Sequence, residues 1–205
     1  MTTAPTGRVR LDRATRREQL LEHGVRLLST RSLEELSIET LAEEAGISRG
    51  LLYHYFGTKQ EFHRAVVRKA ADDLIRVTAP AQEGEPLERL ARSLDAYVGY
   101  VEANFAGYVS LVRGAAGGNE GLQDIYEEAR AALTDRIFDD GDGLLRLLSL
   151  DDTPVVRLMV RGWSAMAEDV VISWVRDPRG ASRDDLLTML AAALPGVLSG
   201  APVRR

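Results

Sequence analysis

The chain contains no cysteine. That absence excludes disulfide frameworks and thiolate metal sites, and it fits a reducing compartment. Histidine is scarce as well: His23, His54 and His63 are the only three, and all lie early in the chain. His54 and His63 fall on separate expected helices with Glu61 between them and no third ligand at a recognisable spacing, so a metal site is rejected. No GxSxG occurs, and no phosphate-binding glycine loop precedes a helix; Gly117, Gly118 and Gly121 read as a helix break. No nucleophile, base and orienter can be assembled, so an enzyme is not expected, nor a cofactor. Apolar runs stop well short of the ~18 residues that suggest a membrane span, and the N-terminus lacks the apolar core of a signal peptide. A cytoplasmic protein with no membrane partner is the expectation. Strand-like alternation and internal repeats are missing too, which points to an all-helical chain.

What is present is a globular balance of 45% apolar and 28% charged residues over 205 positions, enough for one good core or two modest domains. The formal net charge of −5 argues superficially against a nucleic-acid partner. It hides an asymmetry. Residues 1–80 carry 13 Lys plus Arg against 11 Asp plus Glu, whereas residues 81–205 carry 13 against 20. Arg8, Arg10, Arg13, Arg16 and Arg17 cluster near the N-terminus, opposed only by Asp12 and Glu18. A local basic arm matters more to phosphate than the sum does. Residues 1–12 are expected to form that arm, reaching a minor groove or serving as a solubilising tail.

The informative stretch is Ser37 to Phe56, SIETLAEEAGISRGLLYHYF. Ile38, Leu41, Ala42 and Ala45 stripe one helix face, with Ser37 as its N-cap. Gly46 permits the left-handed backbone that ends this helix, Ile47 plugs the angle, and Ser48 caps a second helix. Leu52 and Phe56, four apart, would bury inward. Arg49, Gly50, Leu51, Tyr53 and His54 then face outward, as a helix entering a major groove requires.

On either side the spacing predicts helices throughout. Thr15 with Glu18 reads as a capping box for a helix over 16–30, and Thr58 with Glu61 as another that starts a long helix to about Val77. Leu33 and Leu36 cover a short connection. Residues 80–86, PAQEGEP, are the clearest linker. Beyond it lie helical stripes from Leu87 to Asn104, Phe105 to Ala116, and Glu120 to a DDGDG break at Asp139–Gly143. Residues 144–152 form a short helix or a loop. Two helices follow, one from Pro154 to about Val175 and one opened by Ser182 and running past Val197, before a fraying APVRR tail. On a wheel at about 100° per residue the helix from Pro154 carries three arcs. Arg157, Arg161, Ser164 and Glu168 form a narrow polar stripe. Met159, Trp163, Met166, Val170 and Trp174 form an apolar arc, and Gly162, Ala165, Asp169 and Ser173 a third. The third arc and the last helix are a candidate subunit interface; ordinary intramolecular packing is the alternative.

SIETLAEEAGISRGLLYHYFGTKQEF resembles the tetracycline repressor (TetR) family of bacterial transcription regulators through its glycine turn, its LLYHYF cluster and its GTKQEF entry to the next helix. The resemblance implies an all-α protein, with an N-terminal arm and three-helix helix-turn-helix DNA-binding domain over 1–57, a connecting helix over 58–79, and a helical ligand-binding and dimerisation bundle over 87–200. It implies a homodimer through the last two helices, binding a near-palindromic double-stranded DNA operator as a repressor and released by a small-molecule effector. Carried over by position, Tyr53 and Lys59 correspond to phosphate contacts, and Arg49 and His54 to base readers. Gly50 lets the helix lie close, Leu51 meets a thymine methyl, Thr40 touches a phosphate, and the caps Ser37 and Ser48 belong to the same DNA-binding set. The effector is expected to be hydrophobic, held among Tyr97, Phe105, Tyr108, Tyr126, Trp163, Met166 and Trp174; each of these also reads as plain core. A helical small-molecule or protein-binding module without DNA binding is the rival reading.

Overall fold

The computed structural model describes residues 12–139 and 143–200, in which every regular element is a helix. The expected arm at 1–11, the centre of the DDGDG break and the APVRR tail lie outside the described residues. The first helix, α1 (Arg13–Leu28), starts earlier than the Thr15–Glu18 capping box predicts. Asp12 is the cap instead. Its carboxylate accepts from the Thr15 backbone N–H at 2.9 Å and the Thr15 hydroxyl at 2.7 Å, contacts that lower its pKa. Glu18 is unavailable for the box because it pairs with Lys69 at 2.7 Å.

Next come α2 (Ile38–Ala45), α3 (Arg49–Phe56) and α4 (Lys59–Val77). The Thr58–Glu61 capping box is present at the start of α4. After the linker, α5 (Pro86–Ala103), α6 (Phe105–Ala116) and α7 (Glu120–Asp139) follow the stripes in the sequence. Residues 144–152 contain one short helix, α8 (Leu144–Leu147), before α9 (Pro154–Arg176) and α10 (Arg183–Leu198).

Two apolar cores organise these helices. The first joins α1 to α4 around Leu36, Leu41, Leu52 and Phe62, all 0% exposed, and continues into Leu122, Ile125 and Ala129 of α7. The second joins α5, α8, α9 and α10 around Val98, Val101, Val160 and Leu194. Since α7 packs into the first core, α4 is clamped from both sides. It is backed by α1 to α3 and by a helix of the second bundle, so it cannot move without disturbing both.

On α9 the buried face differs from the wheel reading. Val156, Val160, Trp163, Ala167 and Val171 are buried, whereas Met159, Met166 and Val170 of the expected apolar arc are exposed. The helix has two apolar faces, and the core takes the one that carries Trp163 with Val156, Val160, Ala167 and Val171. Leu158 at 66% and, on α10, Met189 at 69% are the most exposed large apolar residues on this side. Gly162 has open space where a side chain would stand. The polar stripe of α9 pairs with α7 at an exposed seam: Arg157 meets Asp135 at 3.3 Å and Arg161 meets Glu127 at 2.5 Å.

Candidate nucleic-acid interface and ligand cavity

The reading head is built as capped units. The Ser37 hydroxyl accepts from the Thr40 N–H at 3.0 Å and pairs with the Thr40 hydroxyl at 2.9 Å, so both side chains are engaged in holding the start of α2. Gly46 ends α2 at φ 63° and ψ 37°, a left-handed conformation that costs a side-chain-bearing residue about 1 kcal/mol or more. The Ile47 N–H then donates to the Ala42 carbonyl at 3.0 Å, and Ser48 caps α3 by accepting from Leu51 N–H at 3.3 Å.

Burial of Leu52 and Phe56 turns the other face of α3 outward. Arg49, Gly50, Tyr53 and His54 are exposed, Leu51 is half-buried, and Lys59 stands exposed just beyond at the start of α4. No atom lies within 4 Å of a side-chain position at Gly50, which leaves the backbone approachable. Arg49 sits 3.7 Å from Glu39 of α2, an exposed pair of small energetic worth. Two cations that the sequence did not assign to this site also back α3. Arg13 reaches the His54 carbonyl at 3.5 Å, and Arg17 lies 5.2 Å above the Phe56 ring. Their clustering near the N-terminus is the signal; their folding back onto the end of α3 is tertiary.

His63 on α4 is a latch, not a ligand. One ring nitrogen contacts the Leu36 carbonyl, immediately before the Ser37 cap. Burial lowers its pKa below the ordinary 6.5, with Lys59 adding to the effect and the Leu36 contact opposing it. The unfolded chain therefore takes up this proton first as pH falls. The stabilisation is complete above about 6.5 and is lost as pH falls toward the lower folded value. Urea midpoints measured at pH 7.5 and 5.5 should fall further for the wild type than for His63→Gln; equal falls would remove His63 from the acid response.

Between the two cores lies a cavity of about 180 Å³. Its walls come from both parts of the chain: Val25 and Leu28 of α1 and Val67, Ala71 and Leu74 of α4 face Leu90, Leu94, Leu111 and Leu133 of the bundle. Four of the seven expected ligand-binding residues, Tyr97, Tyr108, Tyr126 and Trp163, line it. The other three do not. Phe105, at the start of α6, packs against the second core; Met166 is 39% exposed; and the Trp174 indole donates to the Ala181 carbonyl at 2.9 Å, near the far end of α9.

A polar chain crosses the cavity wall. Tyr108 donates to Glu168 Oε1 at 2.6 Å, Tyr126 donates to Oε2 at 2.5 Å, and the Tyr97 hydroxyl meets that of Tyr108 at 2.8 Å. Burial raises the pKa of Tyr97 and Tyr108, and with the Glu168 bond pushes Tyr126 up to about 12, so these hydroxyls remain donors. Arginines 89, 130 and 136 also line the space, against the single carboxylate of Glu168. These three cations stand on helices whose charges look like ordinary surface until α5 and α7 are packed against α4.

Residues 20–66 match the family model described as bacterial regulatory proteins, tetR family, and residues 86–194 match the one described as tetracyclin repressor-like, C-terminal domain. The chain is 25% identical over 201 residues to the HTH-type transcriptional activator FasR of Mycolicibacterium smegmatis, covering 96% of this chain and 89% of the relative. A tetR-family transcriptional regulator from Streptomyces coelicolor superposes with a TM-score of 0.79 at 31% identity, over 92% of this chain and 82% of that one. A putative transcriptional regulator from Pseudomonas aeruginosa PAO1 shares the fold, with a TM-score of 0.74 at 16% identity over 94% of each chain.

Proposed function

We propose, for a chain that belongs to the tetR family of bacterial regulatory proteins, that this DNA-binding transcriptional regulator is a cytoplasmic homodimer that binds a near-palindromic operator and is released by a hydrophobic small molecule. The observation that carries the reading is the cavity itself, whose wall is shared between α1 and α4 of the reading head and the helices of the second bundle. At about 180 Å³ it is smaller than the roughly 300–1,000 Å³ of sites for drug-sized ligands. A larger apolar occupant must displace a wall, and the wall nearest the DNA is α4. Moving α4 draws on the His63 contact with Leu36 and so on the cap of α2.

Dimerisation through α9 and α10 is supported by the exposed apolar residues on those helices, Leu158, Met159, Met166, Val170 and Met189. Such a patch is what a subunit interface covers. No described helix is long and apolar enough to cross a membrane. FasR is named an activator, so the sign of regulation at a promoter follows from where the operator lies. Occupancy overlapping the promoter represses, and occupancy upstream can recruit polymerase.

Binding to palindromic fragments upstream of the chain's own gene or a neighbouring gene, measured against salt, tests the DNA reading. A helical binding module without DNA affinity would give no salt-dependent complex. On the operator, Arg49→Ala should cost roughly 1–3 kcal/mol and relax base preference, whereas Lys59→Ala should weaken all sequences alike and lower the salt slope by about 1. Unchanged site discrimination by Arg49→Ala would remove Arg49 from base reading.

A further inference from the structure

The cavity's charged lining carries more than its size does. Arg136, near the end of α7, donates to the Ile75 carbonyl at 2.5 Å and to the Thr78 hydroxyl at 3.3 Å, both neutral groups at the C-terminal end of α4. Burial lowers its pKa, and among the described residues no carboxylate offsets it. A partly buried cation whose described partners are neutral oxygens gains from an anion placed beside it. Ser93, on the facing stretch of α5, has a buried hydroxyl with no hydrogen-bond partner. Arg89 lines the same cavity one helical turn earlier on α5. The one carboxylate of the lining, Glu168, already accepts from two tyrosines.

We infer that the effector is an anionic amphiphile, whose acidic head sits on Arg136 with Arg89 and Ser93 while its apolar body lies between α1, α4 and α6. This rests on the effector-cavity reading above and adds a chemical class to it. It also supplies a coupling step. The Arg136 guanidinium that would bind the acid is the one that now holds the Ile75 carbonyl and the Thr78 hydroxyl at the end of α4, so an anion competes with α4 for Arg136. Binding trades the hold of α7 on α4 for a hold on the ligand, and α4 is freed at the end away from its His63 latch. A neutral ligand of equal length would fill the apolar space without loosening that end.

The probes are octanoate, 1-octanol and methyl octanoate, titrated into the full-length chain and followed by calorimetry and by Trp163 fluorescence, with operator affinity measured in parallel. Octanoate should bind at least about tenfold more tightly than either neutral compound, a difference of about 1.4 kcal/mol. Arg136→Gln should erase the preference while keeping octanol affinity. Because Arg136 ties two helices together, Arg89→Gln serves as a second variant and should reduce the preference partway. Thermal unfolding of both variants confirms that they are folded. Equal or tighter binding of the neutral compounds, no binding by any of the three, or an intact preference in folded Arg136→Gln and Arg89→Gln would each overturn the assignment. The two readings separate cleanly. Selective octanoate binding that leaves operator affinity unchanged keeps the anion site and removes effector release; release by octanol alone does the reverse.

Discussion

Phe62→Ala should lower stability by about 3–5 kcal/mol, the cost of emptying a large aromatic site in a core that cannot fully collapse. Phe62 is 0% exposed, its ring meets Phe56 edge-on at 5.2 Å, and it opens α4 one residue before the His63 latch. Phe56 is the last residue of α3. The cavity therefore forms directly behind the exposed face of that helix. Against a total stability of ~5–15 kcal/mol, the loss takes a large share, and the head should open before the second core does. Urea unfolding followed by circular dichroism checks the magnitude. Operator binding at a temperature where the variant is still folded checks the location. A loss under about 1 kcal/mol would mean that neighbours refill the site and that α3 is not backed as described.

The head was legible in the sequence because its signals are local. Ser37, Gly46, Ser48 and Thr58 act within a few residues of themselves, and the structure finds each as a cap or a left-handed stop where spacing placed it. Helix limits from α2 to α7 followed for the same reason. Local reading failed where a distant partner competed. Glu18 completes an apparent capping box with Thr15, but Lys69 of α4 takes its carboxylate. On α9 both faces carry large apolar residues, so periodicity alone could not choose between them. The choice was made by packing against α5 and α10, a tertiary contact that the spacing within α9 does not contain.

The cavity was the least legible part, because aromatic identity is a weak guide to what lines a void. Phe105, Met166 and Trp174 were as plausible on composition as Tyr97 and Tyr108. A better signal was the polar row Arg89, Ser93, Tyr97, Tyr100 and Asn104, spaced by three or four along α5. All five line the cavity. Such a row beside an apolar stripe has two physical readings, solvent or a wetted interior. The Tyr100 hydroxyl on the Ala70 carbonyl at 2.7 Å decides for the interior, since it places this face of α5 against α4. The matching row on α9, ending in Ser164 and Glu168, is decided the same way by Tyr108 and Tyr126.

Gly107→Val should push α6 away from α1. A side-chain carbon at Gly107 of α6 would stand 2.7 Å from the Leu28 carbonyl oxygen and 2.8 Å from Leu28 Cβ, at the end of α1. Backbone cannot swing aside as a side-chain tip can, so one helix must move. Overpacking of this kind costs about 1–3 kcal/mol and occasionally more, and a branched side chain against a carbonyl belongs at the upper end. Gly24 makes a useful contrast, because the carbon added there meets a Val66 methyl at 2.6 Å rather than backbone. Gly107 also lines the cavity, and the nearby Ser110 hydroxyl accepts from the Leu33 N–H at 3.1 Å to hold α6 against the start of the head. Forcing α6 from α1 thus strains the hydrogen bond and the cavity wall together. The expected result is a lower melting temperature with weakened operator affinity even without ligand, as though the cavity were already filled. Gly24→Ala should lose less stability and keep the ligand response. If Gly107→Val instead melts like the wild type and binds operator unchanged, then α1 and α6 slide freely past each other. The α1–α6 contact would then not be a route by which the bundle acts on the DNA-reading helix.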